Sequence, residues 1–331
     1  MKIYKITFFF ILIMSIFIVI SSSSWFSMWI GLEINLLTII PLMVNKKFLM
    51  SEASLKYFIT QAFSSSLVLI FIILSSKMNL SYYLLTMMLN SALLTKMGAA
   101  PFHFWFPEIM EGLMWMPCLI LLTIQKIPPM IMIFYTKFNM IFISTIILMS
   151  MMVGGIMGLN QISLRKIMAY SSINHIGWMI ASIFYSMKIW MIYFSIYTII
   201  SLNLILLFEN FKIYFIAQLN ILFSQNFSMK IIMIFNFMSL GGLPPFIGFF
   251  PKWLVIQSLI YQNLFTISII MVMLTLVTLF YYMRLSFTFL MLNSPQIKFF
   301  KSTKFNHLMI FNFNMFSIFS LIICTLFFNL S

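Results

Sequence analysis

Three lysines placed where a charge is costly carry the chemistry of this sequence. Lys96, Lys126 and Lys252 each stand inside an apolar run long enough to cross a bilayer. One acid, Glu33 in Gly31-Leu32-Glu33-Ile34-Asn35-Leu36-Leu37, does the same. A charge near the bilayer centre costs roughly 2.5–3.5 kcal/mol on insertion scales, which makes each such residue a functional candidate. One buried carboxylate cannot neutralise three buried ammonium groups, so the lysines are expected to exchange protons with water or polar neighbours. A row of such groups is suited to proton transfer. His103 and His175 can extend it, the second from a polar ladder, Tyr170-Ser171-Ser172-Ile173-Asn174-His175.

Each of these residues also has a structural use. Glu33 can lock its helix to Lys96 as an ion pair. Lys126 precedes Ile127-Pro128-Pro129 and can satisfy carbonyls freed by a proline kink. Lys252 can snorkel to an interface. His175 can hydrogen-bond a neighbouring helix, and His103 can donate to loosened carbonyls beside it. Gln61, Asn90, Gln125 and Ser64 to Ser66 can either hold water or bridge helices.

The elements that position the lysines are interrupted helices. In Lys96-Met97-Gly98-Ala99-Ala100-Pro101-Phe102-His103-Phe104-Trp105-Phe106-Pro107-Glu108, the residues Gly98 and Pro101 cannot continue an ordinary helix. The pattern recurs: Gly98-x-x-Pro101-Phe102-x-x-x-Phe106-Pro107-Glu108 becomes Gly242-x-x-Pro245-Phe246-x-x-x-Phe250-Pro251-Lys252, with the final charge reversed. Two broken apolar segments in corresponding halves indicate a transporter built from repeats, with its pathway at the breaks. The expected organisation is a single transmembrane domain over 1–331, its first broken helix at about 82–107 and its second at about 231–259.

Composition agrees. The chain has 331 residues, is 63% hydrophobic and 7% charged, and has a mean hydropathy of +1.09, so it is an all-α polytopic membrane protein and not a soluble one. The apolar runs of roughly 18–25 residues exclude barrel strands. Cys118 and Cys324 lie far apart in apolar runs, which excludes an iron–sulfur cluster, a cysteine-rich zinc site and a haem-attachment motif in this chain. There is no Gly-x-Gly-x-x-Gly nucleotide loop. Lys2 and Lys5 ahead of an apolar core imitate a signal peptide. Ser21 to Ser24 offer no Ala-x-Ala site and more membrane follows, so the first span is expected to be retained.

Eleven spans are expected, at about 6–23, 25–44, 54–74, 82–107, 113–135, 139–158, 166–185, 189–208, 231–259, 263–290 and 308–328. With that count, loops on the N-terminal side carry thirteen lysines and arginines, among them Lys2, Lys46, Arg165 and Arg284. The opposite side carries three, Lys77, Lys137 and Lys188. By the positive-inside rule the N-terminus lies on the matrix or cytoplasmic side and the C-terminus opposite, so the net charge of +14 is a matter of topology and not of nucleic acid. The seven tryptophans, Trp25, Trp29, Trp105, Trp115, Trp178, Trp190 and Trp253, are expected to be interfacial anchors. The longest polar loop, about 209–230, is expected to lie along the positive surface and touch a neighbouring subunit.

Taken together, Trp29-Ile30-Gly31-Leu32-Glu33-Ile34-Asn35, the Lys96–Glu108 stretch and Gly241-Gly242-Leu243-Pro244-Pro245-Phe246-x-Gly248-Phe249-x-Pro251-Lys252-Trp253 resemble one family end to end. It is the NADH dehydrogenase subunit 2 family of the membrane arm of respiratory complex I, related to Mrp-type cation/proton antiporter subunits. The resemblance implies two inverted five-helix repeats, each with a broken helix. It also implies a proton-translocating role along a Glu/Lys/His axis, with Glu33 as the input-side glutamate. Lys96 and Lys252 match the lysines of the two broken helices, Lys126 matches the central lysine, and His103 and His175 lie along the same hydrated axis. It further implies the mitochondrial inner membrane and partnership with other membrane-arm subunits and lipids. NADH, FMN, iron–sulfur clusters and ubiquinone would then lie in partner subunits, and no cofactor or metal in this chain. Two other classes use the same charges: a stand-alone cation/proton antiporter, and a structural spacer in which the charges staple helices together.

Overall fold

The computed structural model describes residues 3–44, 48–77, 82–136, 139–223, 227–244 and 246–291. The expected last span, 308–328, lies outside the described residues, as do Pro245, Cys324 and several loop lysines. Among the described residues the chain is helical, with one isolated bridge between Ser163 and Phe215. It groups into two compact units, one within Met1–Ser150 and one within Met151–Ser331.

The first unit contains α1 (Ile3–Ser21), α2 (Trp25–Met43), α3 (Phe48–Lys77), α4 (Tyr82–Met97) and α5 (Trp105–Gly112). It continues with α6 (Trp115–Leu122), a 3-10 turn (Ile124–Lys126), α7 (Ile127–Tyr135) and the start of α8 (Met140–Leu159). Here α1 packs on α2, α2 on α3, α3 on α4 and α5, and α4 on α7. The second unit contains α9 (Leu164–Ile183), α10 (Met187–Phe211), α11 (Ile216–Phe223), α12 (Phe227–Gly241), α13 (Phe249–Tyr261) and α14 (Phe265–Met291). In it α9 packs on α10 and α13, and α14 on α12 and α13.

Helices occupy each of the first ten expected ranges. By length and composition, seven segments among the described residues can cross a membrane alone: α1, α2, α3, Trp115–Tyr135, α8, α10 and Phe265–Phe287. Their exposed faces are apolar, as in the stripe Ile269, Met273, Leu276 and Phe280 on α14. In water such a face would aggregate, whereas lipid or a neighbouring apolar helix solvates it.

α9 is different. Seventeen of its twenty residues are buried, including Ser171, Ser172, Asn174 and His175. A helix this polar is stable in an apolar setting only when protein surrounds it, and that is its position. Gly154 on α8 makes the close approach possible, because a Cβ there would stand 2.8 Å from the Asn174 nitrogen and the Tyr170 carbonyl oxygen of α9.

The two helix breaks have the same geometry. α4 ends at Met97 and α5 starts at Trp105, while α12 ends at Gly241 and α13 starts at Phe249, so each boundary recurs 144 residues later. Gly98 and Gly242 follow the helix ends with φ of 74° and 77°, left-handed values that side chains disfavour. In the first break the Gly98 N–H donates to Thr95 (3.2 Å) and the Ala99 N–H to Leu94 (3.1 Å). In the second, Gly242 donates to Ser239 (3.0 Å) and Leu243 to Met238 (3.3 Å). Both are Schellman caps, which close the helix end and satisfy two of its open carbonyls. The periodic echo in the sequence is therefore an echo of backbone hydrogen bonding.

Two sequence expectations need correction. The segment 209–230 is not a plain loop. It contains α11 and is tied to the turn before α9, with the Leu164 N–H donating to Tyr214 (2.9 Å) and the Ile216 N–H to Ile162 (3.2 Å). The tryptophans are not uniformly interfacial anchors either. Trp115, Trp178 and Trp190 are buried, and the indole N–H groups of Trp29 and Trp105 donate to Ser65 and Thr95 carbonyls. Indole carries more apolar area than any other side chain, and position near a span end does not decide whether that area faces lipid or a neighbouring helix.

Two substitutions test these contacts. Gly154→Leu forces α8 and α9 apart and is expected to cost about 1–3 kcal/mol of overpacking, read as a lower unfolding temperature of the detergent-solubilised protein. Gly98→Ala places a Cβ 3.1 Å from that of Phe106 at a left-handed φ. A loss of about 1–2 kcal/mol is expected in the same assay.

Candidate functional site

Lys96 lies one residue before the end of α4, with 7% of its surface exposed. Its own carbonyl is one of those the Schellman cap leaves open, and Gln61 of α3 closes it by donating its Nε2 at 3.3 Å. The Lys96 side chain lines a small cavity with Asn35, Tyr57, Gln61 and Gln125. The cavity, which Leu32, Leu36 and Pro129 complete, is lined by polar and apolar groups alike and is about the size of one water molecule. Glu33, half-buried on α2, acts electrostatically on Lys96, but the two do not form an ion pair. The locking role that an ion pair would give Glu33 is therefore absent from this structure. Exposed Lys56 pairs with Glu52 (3.1 Å) and Glu108 (3.0 Å), tying α3 to α5.

Lys126 is 1% exposed and ends the 3-10 turn that interrupts the run from α6 to α7. The interruption begins at Thr123, whose φ of −116° and ψ of −80° leave helical space, and Pro128 and Pro129 enter the first turn of α7. The sequence indicated a kink after Lys126; the structure places it immediately before, so Lys126 itself is the residue at the bend. Its ammonium lies 5.7 Å from the centroid of the Phe106 ring, within cation–π range.

Lys252, near the start of α13, is 6% exposed and does not snorkel. Its Nζ folds back over the break and donates to the carbonyls of Gly241 (2.7 Å) and Leu240 (3.3 Å). Those are the carbonyls the second Schellman cap leaves open, so Lys252 satisfies carbonyls freed by a helix break. Gly242 makes the room, since a Cβ there would stand 2.8 Å from the Lys252 Nζ. At equivalent positions, then, a neutral amide closes the first break and a cation closes the second.

His103 is buried within the first break, its ring tilted on Phe104 with centroids 4.4 Å apart. His175 is buried on α9, with its Nδ1 2.8 Å from the Tyr193 hydroxyl and its ring 5.0 Å from that of Tyr197. Tyr281 and Tyr282 of α14 pack on each other, their centroids 4.3 Å apart, and Tyr282 stands beside Ser171. These four tyrosines escaped a reading based on charges. The spacing of Tyr193 and Tyr197, one helical turn apart in an apolar run, was the available signal.

The helix-break residues Gly98, Pro101 and Gly242 stand where the helices stop, and Pro245 lies outside the described residues. Gln61, Asn90 and Gln125 bridge helices, the second by accepting from the Thr136 hydroxyl at 2.9 Å. Ser64, Ser65 and Ser66 instead donate to carbonyls of their own helix. Among the described residues, no group of three or more His, Cys, Asp or Glu side chains is arranged to hold a metal ion.

The NADH:quinone oxidoreductase/Mrp antiporter transmembrane family matches residues 22–278. NADH-ubiquinone oxidoreductase chain 2 of Anopheles gambiae is 48% identical over 324 residues, which span 94% of this chain and 95% of that protein. The protein of the same name from Aedes aegypti is 47% identical over 335 residues, or 98% of each. Among solved structures, a chain of respiratory complex I from Thermus thermophilus with bound aureothin aligns with a TM-score of 0.86 at 19% identity, covering 96% of this chain and 77% of that one. A chain of the Mrp complex from a Dietzia species aligns with a TM-score of 0.73 at 15% identity, covering 86% and 60%. At those identities the structural likeness concerns the fold. The chain belongs to the NADH:quinone oxidoreductase/Mrp antiporter membrane family and, within it, to the NADH-ubiquinone oxidoreductase chain 2 group.

Proposed function

We propose that this chain is a proton-translocating subunit of the membrane arm of NADH:ubiquinone oxidoreductase. It would lie in the mitochondrial inner membrane, its N-terminus in the matrix and, after eleven spans, its C-terminus in the intermembrane space. The observation that carries the reading is the pair of matched helix breaks in apolar segments, with Lys96 buried at the end of the helix before the first and Lys252 buried against the open carbonyls of the second. The chain's membership of the family supports it. NADH oxidation, FMN, the iron–sulfur clusters and ubiquinone belong to partner subunits, and energy from quinone reduction reaches this chain as a change in charge or hydration near Glu33.

In this mechanism Glu33, Lys96, Lys126 and Lys252 carry the protons, with His103 and His175 assisting. Because Glu33 acts on Lys96 without being paired to it, a change in their separation alters how well Lys96 holds its proton. An ion pair closing to 4 Å is worth about 4 kcal/mol at an effective dielectric of 20, enough to drive the transfer. The cavity beside Lys96 supplies space for the water that accepts the proton. Lys126 stands at a bend and against an aromatic face. Lys252, which stands in the second unit where Glu108 stands in the first, carries the proton onward.

The test is the number of protons pumped per NADH oxidised by the reconstituted complex carrying Lys96→Met or Glu33→Gln, with assembly measured on the same preparation. Both variants are expected to assemble and to lose coupled pumping severalfold. Normal pumping by either assembled variant removes that residue from the pathway. Loss of assembly in both, with Lys96→Arg restoring assembly but not pumping, still supports transfer over a stapling role.

A further inference from the structure

Within the first unit a chain of neutral side chains touches the surroundings of three charges. Gln125 Nε2 donates to Asn35 Oδ1 at 2.6 Å, and the Tyr57 hydroxyl donates to Gln125 Oε1 at 3.2 Å. Gln61, one turn after Tyr57 on α3, donates to the Lys96 carbonyl. All four line the cavity together with the Lys96 side chain. Asn35 lies two residues after Glu33, and Gln125 immediately precedes Lys126. Asn35, Tyr57 and Gln61 are nearly as buried as the lysines, with 3%, 2% and 5% of their surfaces exposed.

This placement has a physical consequence. The Asn35–Gln125 bond is part-buried, and a hydrogen bond shielded in this way is costly to break without a replacement, so bonded groups move together. The Asn35–Gln125 bond thus fastens the helix of Glu33 to the 3-10 turn that ends in Lys126. A 3-10 turn between two α-helices is a natural hinge, so its position follows the helix to which it is tied. Tyr57 holds the other end of the same amide, and through α3 the tie reaches the carbonyl of Lys96.

We propose that Asn35, Tyr57, Gln61 and Gln125 form a neutral positioning element that transmits displacement of the Glu33 helix to Lys126 and Lys96. Gln125 is its central residue. None of the four carries the proton; each holds a charge-bearing segment in register. The inference rests on the proton-transfer role given to Lys96 and Glu33.

The experiment uses the assembled, reconstituted complex and reads protons pumped per NADH oxidised for Asn35→Leu, Gln125→Leu and the exchange double variant Asn35→Gln with Gln125→Asn. Lys96→Met serves as the reference. The expected result is a severalfold loss in each leucine variant with assembly intact, and recovery of most of it in the exchange variant, which rebuilds the bond with the lengths swapped. Packing alone would not produce such recovery. Wild-type pumping by assembled Gln125→Leu, or an exchange variant no better than the leucine variants, overturns the proposal while Lys96→Met remains impaired. If Lys96→Met itself pumps normally, the underlying proton-transfer reading falls and the inference with it. Should the leucine variants fail to assemble, Tyr57→Phe decides, since it keeps the ring against Trp105 and removes only the hydroxyl. Reduced pumping in that variant supports the proposal, and unchanged pumping overturns it.

Discussion

A main-chain carbonyl exposed in hydrocarbon has no water to bond, and that single constraint explains most of what is unusual in this chain. Helices satisfy it everywhere except where they stop, and two of them stop within apolar segments. Each break spends a glycine at left-handed φ on a Schellman cap, and each cap leaves carbonyls that something else has to satisfy. Gln61 answers in the first unit and Lys252 in the second. Some of the polar groups inside the protein are therefore required by the breaks themselves.

The same constraint explains the hydroxyl side chains. Most helical serines and threonines donate to the carbonyl three residues earlier, as Ser64 and Ser171 do, so they are satisfied without leaving their own helix. Asn236 and Gln161 likewise donate to the carbonyl four residues earlier, at 3.0 and 3.1 Å, but other asparagines and glutamines cross between helices. Asn90, Gln61 and Gln125 do so in the first unit, and Asn174 reaches Thr278 in the second, at 3.5 Å. The amides thus determine which helices are fastened together, and the hydroxyls mostly do not.

Much of this was legible in the sequence because membrane physics is unforgiving of exceptions. Apolar run length located the helices, and Gly98 and Gly242 located the breaks. The cost of a buried charge singled out Glu33, Lys96, Lys126 and Lys252. What the sequence did not disclose depended on direction around a helix axis. Whether Trp178 faces lipid or protein is a matter of rotation, and whether Lys252 points to an interface or back over its own break is a matter of rotamer. Neither leaves a mark on composition. Tyr57, Asn35 and the tyrosines near His175 were missed for a related reason: neutral groups do not advertise themselves by cost, and only contact across helices makes them significant.

The unequal closure of the two breaks gives the halves different mechanical responses to the same chemical event. In the proposed mechanism, when Lys96 gives up a proton the group closing its helix end is a separate, uncharged amide, and the cap need not rearrange. When Lys252 gives up a proton, the group closing the helix end is the one that changed, so the main chain there has to relax with it. On that mechanism the first half transfers its proton without moving the group that closes the helix end, and the second half does not. The two breaks, alike in their glycines and caps, would thus differ in how the backbone answers that transfer.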